Sequence, residues 1–165
     1  SLLKKNDSVL DIGANDGTLL DSYFTQGLKS VGCEPADNLI ESLSNKTDYV
    51  MHDFWSYESY VNQQEKWNIG KAKVITAIGM FYDLEDPNQF IKDAQKCLAE
   101  DGVFVAQLMC LKSMLEKNDL GNICHEHLEY YSFIILHIPL TVLNYVWFYK
   151  LMLKTKELFS PKKLN

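Results

Sequence analysis

Short apolar runs alternate with amphipathic segments along most of this chain. Residues 9–12 (VLDI) are apolar except for Asp11, and residues 13–17 (GANDG) turn the chain ahead of Thr18, Leu19 and Leu20. That order predicts a buried strand, a glycine turn and a helix over residues 18–26, with Leu19, Leu20, Tyr23 and Phe24 on one face and Gly27 as the stop. Residues 30–33 (SVGC) predict a second strand ending at Glu34-Pro35. Asp37 reads as the N-cap of a second helix, residues 49–51 as a third strand and residues 58–66 as a polar surface helix.

Residues 72–78 (AKVITAI) are apolar enough for a strand buried on both faces. Pro87 then opens a helix that runs through Leu98 and places Phe90, Ile91, Ala94 and Leu98 together. Glu100-Asp101-Gly102 ends it, ahead of a fifth strand over residues 103–108. Strands alternating with helices imply an α/β fold: a doubly wound parallel sheet in three αβα layers with right-handed crossovers.

With 165 residues, 47% of them hydrophobic, the chain can bury one core. The formal charge is −6, and all 16 basic residues are lysines. An acidic chain without arginine is poorly equipped to grip phosphate backbones, so nucleic acid is not expected as a partner and a small-molecule substrate is. Cys33, Cys97, Cys110 and Cys124 form no C-x-x-C pair and lie in or beside apolar segments, as in a reduced, cytoplasmic protein. The first seven residues hold no apolar run long enough for a signal peptide, and the chain starts almost on its first strand, as a fragment would.

In an open parallel sheet, ligands bind beyond the carboxyl ends of the strands, where glycine lets backbone amides approach them. A nicotinamide or flavin fingerprint needs G-x-G-x-x-G, but Asn15 stands where its second glycine belongs and the next glycine is Gly17. Glu34 follows Asp11 by 23 residues. A carboxylate there either accepts bonds from two ribose hydroxyls or is a solvated turn residue. Phe54 and Trp55, next to Asp53, fit either a stacking site or the core. The loop of residues 79–87, with Tyr82 and Asp83, is expected to face cofactor and substrate.

A second concentration of ionisable groups follows the fifth strand, in residues 122–131 (NICHEHLEYY). Two histidines flanking a glutamate suit proton transfer, because imidazole titrates near neutral pH and a carboxylate can orient it. The rival readings are a metal site using Cys124, His125 and His127, for which no second ligand cluster exists, and a Cys124 nucleophile, which nothing marks as a thiolate. No metal is expected.

The strand ending in Asp11 and the turn GANDG resemble the first motif of class I S-adenosylmethionine-dependent methyltransferases. The order GANDGTLL, CEPADNL, MFYDLEDP, DGVFVAQL and NICHEHLEYYS is similar, over residues 8–132, to the C-methyltransferases of nucleotide-linked deoxysugars. The resemblance implies a Rossmann-like core with strand order 3-2-1-4-5, S-adenosylmethionine as cofactor and a nucleotide-linked keto sugar as substrate. It implies that Asp11, Gly13, Asn15 and Gly17 surround the methionine part, Glu34 the ribose and Asp53 or its neighbour the adenine. His127 would be the base that generates an enolate, Glu126 would orient the base or the sugar, and His125, Tyr82 and Asp83 would contact the acceptor. Two alternatives stand beside it: methylation of another small metabolite, and a cofactor-binding module without turnover.

Residues 1–132 are thus expected to form the methyltransferase core and residues 133–165 a tail. Residues 130–149 carry no formal charge and are followed by five lysines. A membrane span would fit that length but not His137, Pro139 and Asn144. The remaining readings are a late strand over residues 141–149 at the edge left by the fifth strand, and a truncated or shifted segment.

Overall fold

The computed structural model describes residues 3–119, 121, 123–125, 127, 128, 130, 131 and 146–148. Strands β1 (Ser8–Ile12), β2 (Lys29–Cys33), β3 (Tyr49–Met51), β4 (Ala72–Ile78), β5 (Leu98–Gln107) and β6 (Val146–Phe148) form one sheet in the order β3-β2-β1-β4-β5-β6. All pairings are parallel. The expected order 3-2-1-4-5 is therefore present, and β6 occupies the outer edge, within the stretch where a late strand was expected.

Helices α1 (Thr18–Asp21), α2 (Asp37–Ser44), α3 (Tyr57–Trp67), α4 (Pro87–Cys97) and α5 (Leu111–Lys117) connect the strands. The two-residue period of β1 decides which core each side chain enters. Leu10 and Ile12 join Val31, Ile75, Phe104, Tyr60 and Phe90 in the larger cluster, whereas Val9 joins Leu20, Leu43 and Val74 in the smaller one. Asp11 shares the face of Val9, where only short helices cover the strands.

Three expectations need correction. α1 stops at Asp21 rather than near residue 26: the Ser22 hydroxyl donates to the Leu19 carbonyl at 2.6 Å, and the Ser22 and Tyr23 amides form three-residue turns instead of continuing the helix. Phe24, expected on the buried face, is consequently 97% exposed. Ala36, not Asp37, is the N-cap of α2; its amide donates to the Glu34 carboxylate at 3.0 Å, and Asp37 pairs with His52 instead. β5 begins directly after α4, because Leu98 already pairs with Ala72; a register shift before Val74 and Val103 absorbs the residues expected to form a turn.

The other two long helices start within one residue of expectation, α4 at Pro87 and α3 at Tyr57 rather than at residue 58. Ser56 accepts from the Ser59 amide at the start of α3, and Asp86 from the Gln89 amide at the start of α4, each satisfying a helix-end donor. Trp55 packs on the large core while Phe54 is 77% exposed, which divides the two readings of that aromatic pair.

Candidate active site

The turn after β1 runs along the carboxyl edge of the sheet. Gly13, Asn15 and Gly17 all have positive φ, at 73°, 52° and 82°, a region that glycine enters freely and asparagine tolerates. An added Cβ at Gly13 would also stand 3.1 Å from Met80 Cγ, on the loop after β4, closer than ordinary contact. The Gly13 and Ala14 amides both donate to the Cys33 carbonyl, fastening the turn to β2.

A cleft of about 780 Å³ opens beside this turn, lined by Asp11, Gly13, Asn15, Asp16 and Thr18 and by Thr76, Ile78, Val105 and Gln107 from β4 and β5, among others. At its floor Asp11 is 3% exposed and accepts a 2.5 Å bond from the Thr76 hydroxyl. Burial pushes the Asp11 carboxyl up to about 7; the Thr76 bond opposes that rise and the nearby Glu34 charge adds to it. Thr76 was not singled out from the sequence, although a hydroxyl inside the apolar run AKVITAI was the available signal.

Glu34 is also buried, at 7% exposure. One carboxylate oxygen accepts from the Asn15 amide at 2.9 Å and the other from the Ala36 amide at 3.0 Å. The solvated-turn reading therefore fails. Each oxygen keeps a further acceptor position, so the same carboxylate can meet a hydroxyl while holding the turn. Asp53 is exposed, and its carboxylate accepts from the Phe54 amide and the Ser59 hydroxyl at the start of α3. Neither Asp53, Glu34 nor Gly17 lines the cleft itself.

The second group forms around the loop after β4. Phe81–Asp83 is a 3₁₀ turn that buries Phe81, leaving Tyr82 half-buried and Asp83 exposed. The Tyr82 ring lies against His127, with centroids 4.3 Å apart, and Tyr130 lies 6.4 Å beyond His127. Burial, with the Asp83 and Cys124 charges, raises the Tyr82 phenol above its usual range. His125 is exposed. Glu126 lies outside the described residues.

Tyr131 explains why His127 returns to the sheet. It is buried among core aromatics, 5.5 Å from the Phe81 ring, and its carbonyl accepts from the Leu111 amide at 2.9 Å. This anchor escaped the sequence reading, because its partners are contributed by α5 and the loop after β4. Among the described residues, no three His, Cys, Asp or Glu side chains gather as a metal site, and no helix is long and apolar enough to cross a membrane.

A parallel sheet in this order, with a glycine turn and a buried acid at the ends of β1 and β2, is a Rossmann-like class I methyltransferase core. The chain belongs to the methyltransferase domain family, whose profile matches residues 1–133. It is 26% identical over 130 residues to C-methyltransferase NovU of Streptomyces niveus, covering 79% of this chain and 30% of that protein. The chain thus spans less than a third of the length of this curated relative.

Solved structures share the fold. The YcgJ protein of Bacillus subtilis superposes with a TM-score of 0.60 at 17% identity, covering 84% of this chain and 62% of that one. A methyltransferase from Thermotoga maritima described as a possible histamine N-methyltransferase gives 0.57 at 15%, covering 86% and 64%. Mycolic acid cyclopropane synthase CmaA1, solved with SAH, gives 0.58 at 16%, covering 85% and 55%.

S-adenosylmethionine is the cofactor of this class, and the residues present suit it. A cleft of this size lies beside the glycine turn, with the buried Asp11 carboxyl among its lining residues.

Proposed function

We propose that this chain is the cofactor-binding and proton-transfer core of a C-methyltransferase acting on a nucleotide-linked keto-deoxysugar. The core is residues 1–132, and the tail of residues 133–165 contributes β6 to its sheet. The observation that carries the reading is His127 held against Tyr82 on the loop after β4, at the sheet edge that also bears the cofactor turn. The name of the Streptomyces niveus relative supports transfer to carbon, and the motif order through NICHEHLEYYS supports the sugar.

In this reading Asp11, Gly13, Asn15 and Gly17 surround the methionine part of the cofactor, Glu34 meets the ribose and Asp53 the adenine. The cofactor supplies an electrophilic methyl group. The chain's own work lies on the acceptor side. A ketone acidifies its neighbouring carbon, and the His127 imidazole removes that proton. The electron pair left on carbon is the nucleophile, and the proton stays on the imidazole. Glu126 orients the base or the sugar, and Tyr82, Asp83 and His125 contact the acceptor. Fixing the acceptor carbon close to the methyl group supplies much of the acceleration by proximity.

The test is incubation with methyl-labelled S-adenosylmethionine and a nucleoside-diphosphate 4-keto-deoxysugar in deuterated water. Label on a sugar carbon, with His127-dependent solvent exchange beside the ketone, is the expected result. Label on oxygen or nitrogen, or transfer only to acceptors that are not sugars, would replace this reading with methylation of another metabolite. Tight cofactor binding without exchange or transfer would make the chain a binding module.

A further inference from the structure

The end of α2 braces the cofactor turn from behind. Ser42 Oγ donates to the Asp16 carbonyl at 3.3 Å. Gly17 rests on this segment so closely that an added Cβ would stand 3.0 Å from Leu43 Cδ1 and 3.2 Å from Lys46 Cβ. Lys46, two residues beyond α2, is tied to it by a 3.0 Å bond from its amide to the Leu43 carbonyl. Its ammonium reaches back to the turn, donating to Asp16 Oδ2 at 2.8 Å and to Thr18 Oγ1 at 3.2 Å. Asp16 in turn accepts from the Thr18 amide at 3.1 Å and from its hydroxyl at 2.8 Å.

Asp16 and Thr18 line the cleft, whereas Lys46 does not. The three polar groups therefore form a closed set whose cation stands outside the binding surface. We propose that Lys46 is a positioning residue for cofactor binding, fixing Asp16 and Thr18 so that the turn keeps its ligand-ready shape. The inference rests on the cleft beside the turn being the cofactor site.

The turn has two opposed anchors. Glu34 holds the Asn15 amide from the β2 side, and Lys46 holds Asp16 and Thr18 from the α2 side. Whatever freedom a less firmly held turn keeps must be given up when the ligand binds, which costs affinity. Both members of the Lys46–Asp16 pair are part-exposed, at 28% and 43%, so the pair contributes little to global stability. Its effect belongs in ligand affinity.

The deciding experiment is calorimetric titration of the chain with S-adenosylhomocysteine and S-adenosylmethionine, using Lys46→Met, Lys46→Arg and Gly13→Val. Lys46→Met should bind both ligands about 5–10-fold more weakly, near the upper end of what a part-exposed ion pair supplies, with an unchanged melting temperature. Lys46→Arg should restore most of the loss.

Binding within twofold of the parent in Lys46→Met would overturn the proposal, as would a loss that arginine does not restore. A selective gain for the cationic cofactor over its neutral product would also overturn it, by showing that Lys46 acts through charge on the ligand. Gly13→Val separates the two levels: it should abolish binding, and normal binding by that variant would remove the cleft assignment and this inference together.

Discussion

Thr76 donates a 2.5 Å hydrogen bond to Asp11 across neighbouring parallel strands, at positions that are direct register partners. The bond joins a buried acid near the end of one strand to the only hydroxyl of its neighbour, on the lining of the cleft beside the glycine turn. It partly offsets the cost of burying Asp11, whose carboxyl still stands at about 7.

That pKa makes the free chain pH-sensitive in a defined direction. Between the ordinary carboxylate value of 3.8 and about 7, the unfolded chain is ionised at this position while the folded chain keeps its proton. The Asp11 contribution is therefore favourable at low pH and lost as pH rises through that window, by about 4 kcal/mol at most. Asp11→Asn should flatten this part of the stability profile and raise stability at pH 8, while weakening S-adenosylmethionine binding. Denaturant melts from pH 4 to 8 check the first effect and calorimetry the second.

Glu34→Ala removes the acceptor of two backbone amides as well as the proposed ribose ligand. Affinity for S-adenosylhomocysteine should fall by about 1.5–3 kcal/mol, the value of charge-assisted hydrogen bonds. Stability should fall too, because the Asn15 and Ala36 amides lose their partner. Unchanged affinity by calorimetry would take Glu34 out of the site.

His127→Asn should leave cofactor affinity intact, since His127 lies against Tyr82 on the proposed acceptor side. Turnover of the proposed keto sugar should drop by roughly 10²–10⁴, as removal of a general base does. Normal turnover in that variant would end its assignment as the base.

Tyr131→Ala should cost about 3 kcal/mol in chemical denaturation, the scale for deleting a buried aromatic side chain. It should also release His127 from the loop after β4, because Tyr131 is the buried anchor of that segment beside Phe81. The His127 imidazole resonances should carry a Tyr82 ring-current shift in the parent chain and move toward their free-peptide positions in the variant.

The sequence alone determined the order and type of the first eight elements and the place of the glycine turn. Those follow from local period and turn chemistry: apolar runs too short for helices, glycine and asparagine where φ turns positive, Pro87 opening a helix. The Gly13–Gly17 spacing and Glu34 were legible for the same reason, since both sit at strand ends whose position the pattern fixes.

Tertiary structure decided what depends on partners distant in sequence. The length of α1 turned on which carbonyl the Ser22 hydroxyl found, and the start of β5 on Leu98 reaching Ala72. Asp11 meets Thr76 only because β1 and β4 are neighbours, Lys46 meets Asp16 only where α2 crosses behind the turn, and Tyr82 meets His127 only because Tyr131 is buried beside Phe81. A one-dimensional pattern records the period of each element but not the contacts between faces, and those contacts set the protonation, rigidity and reach of the residues in the site.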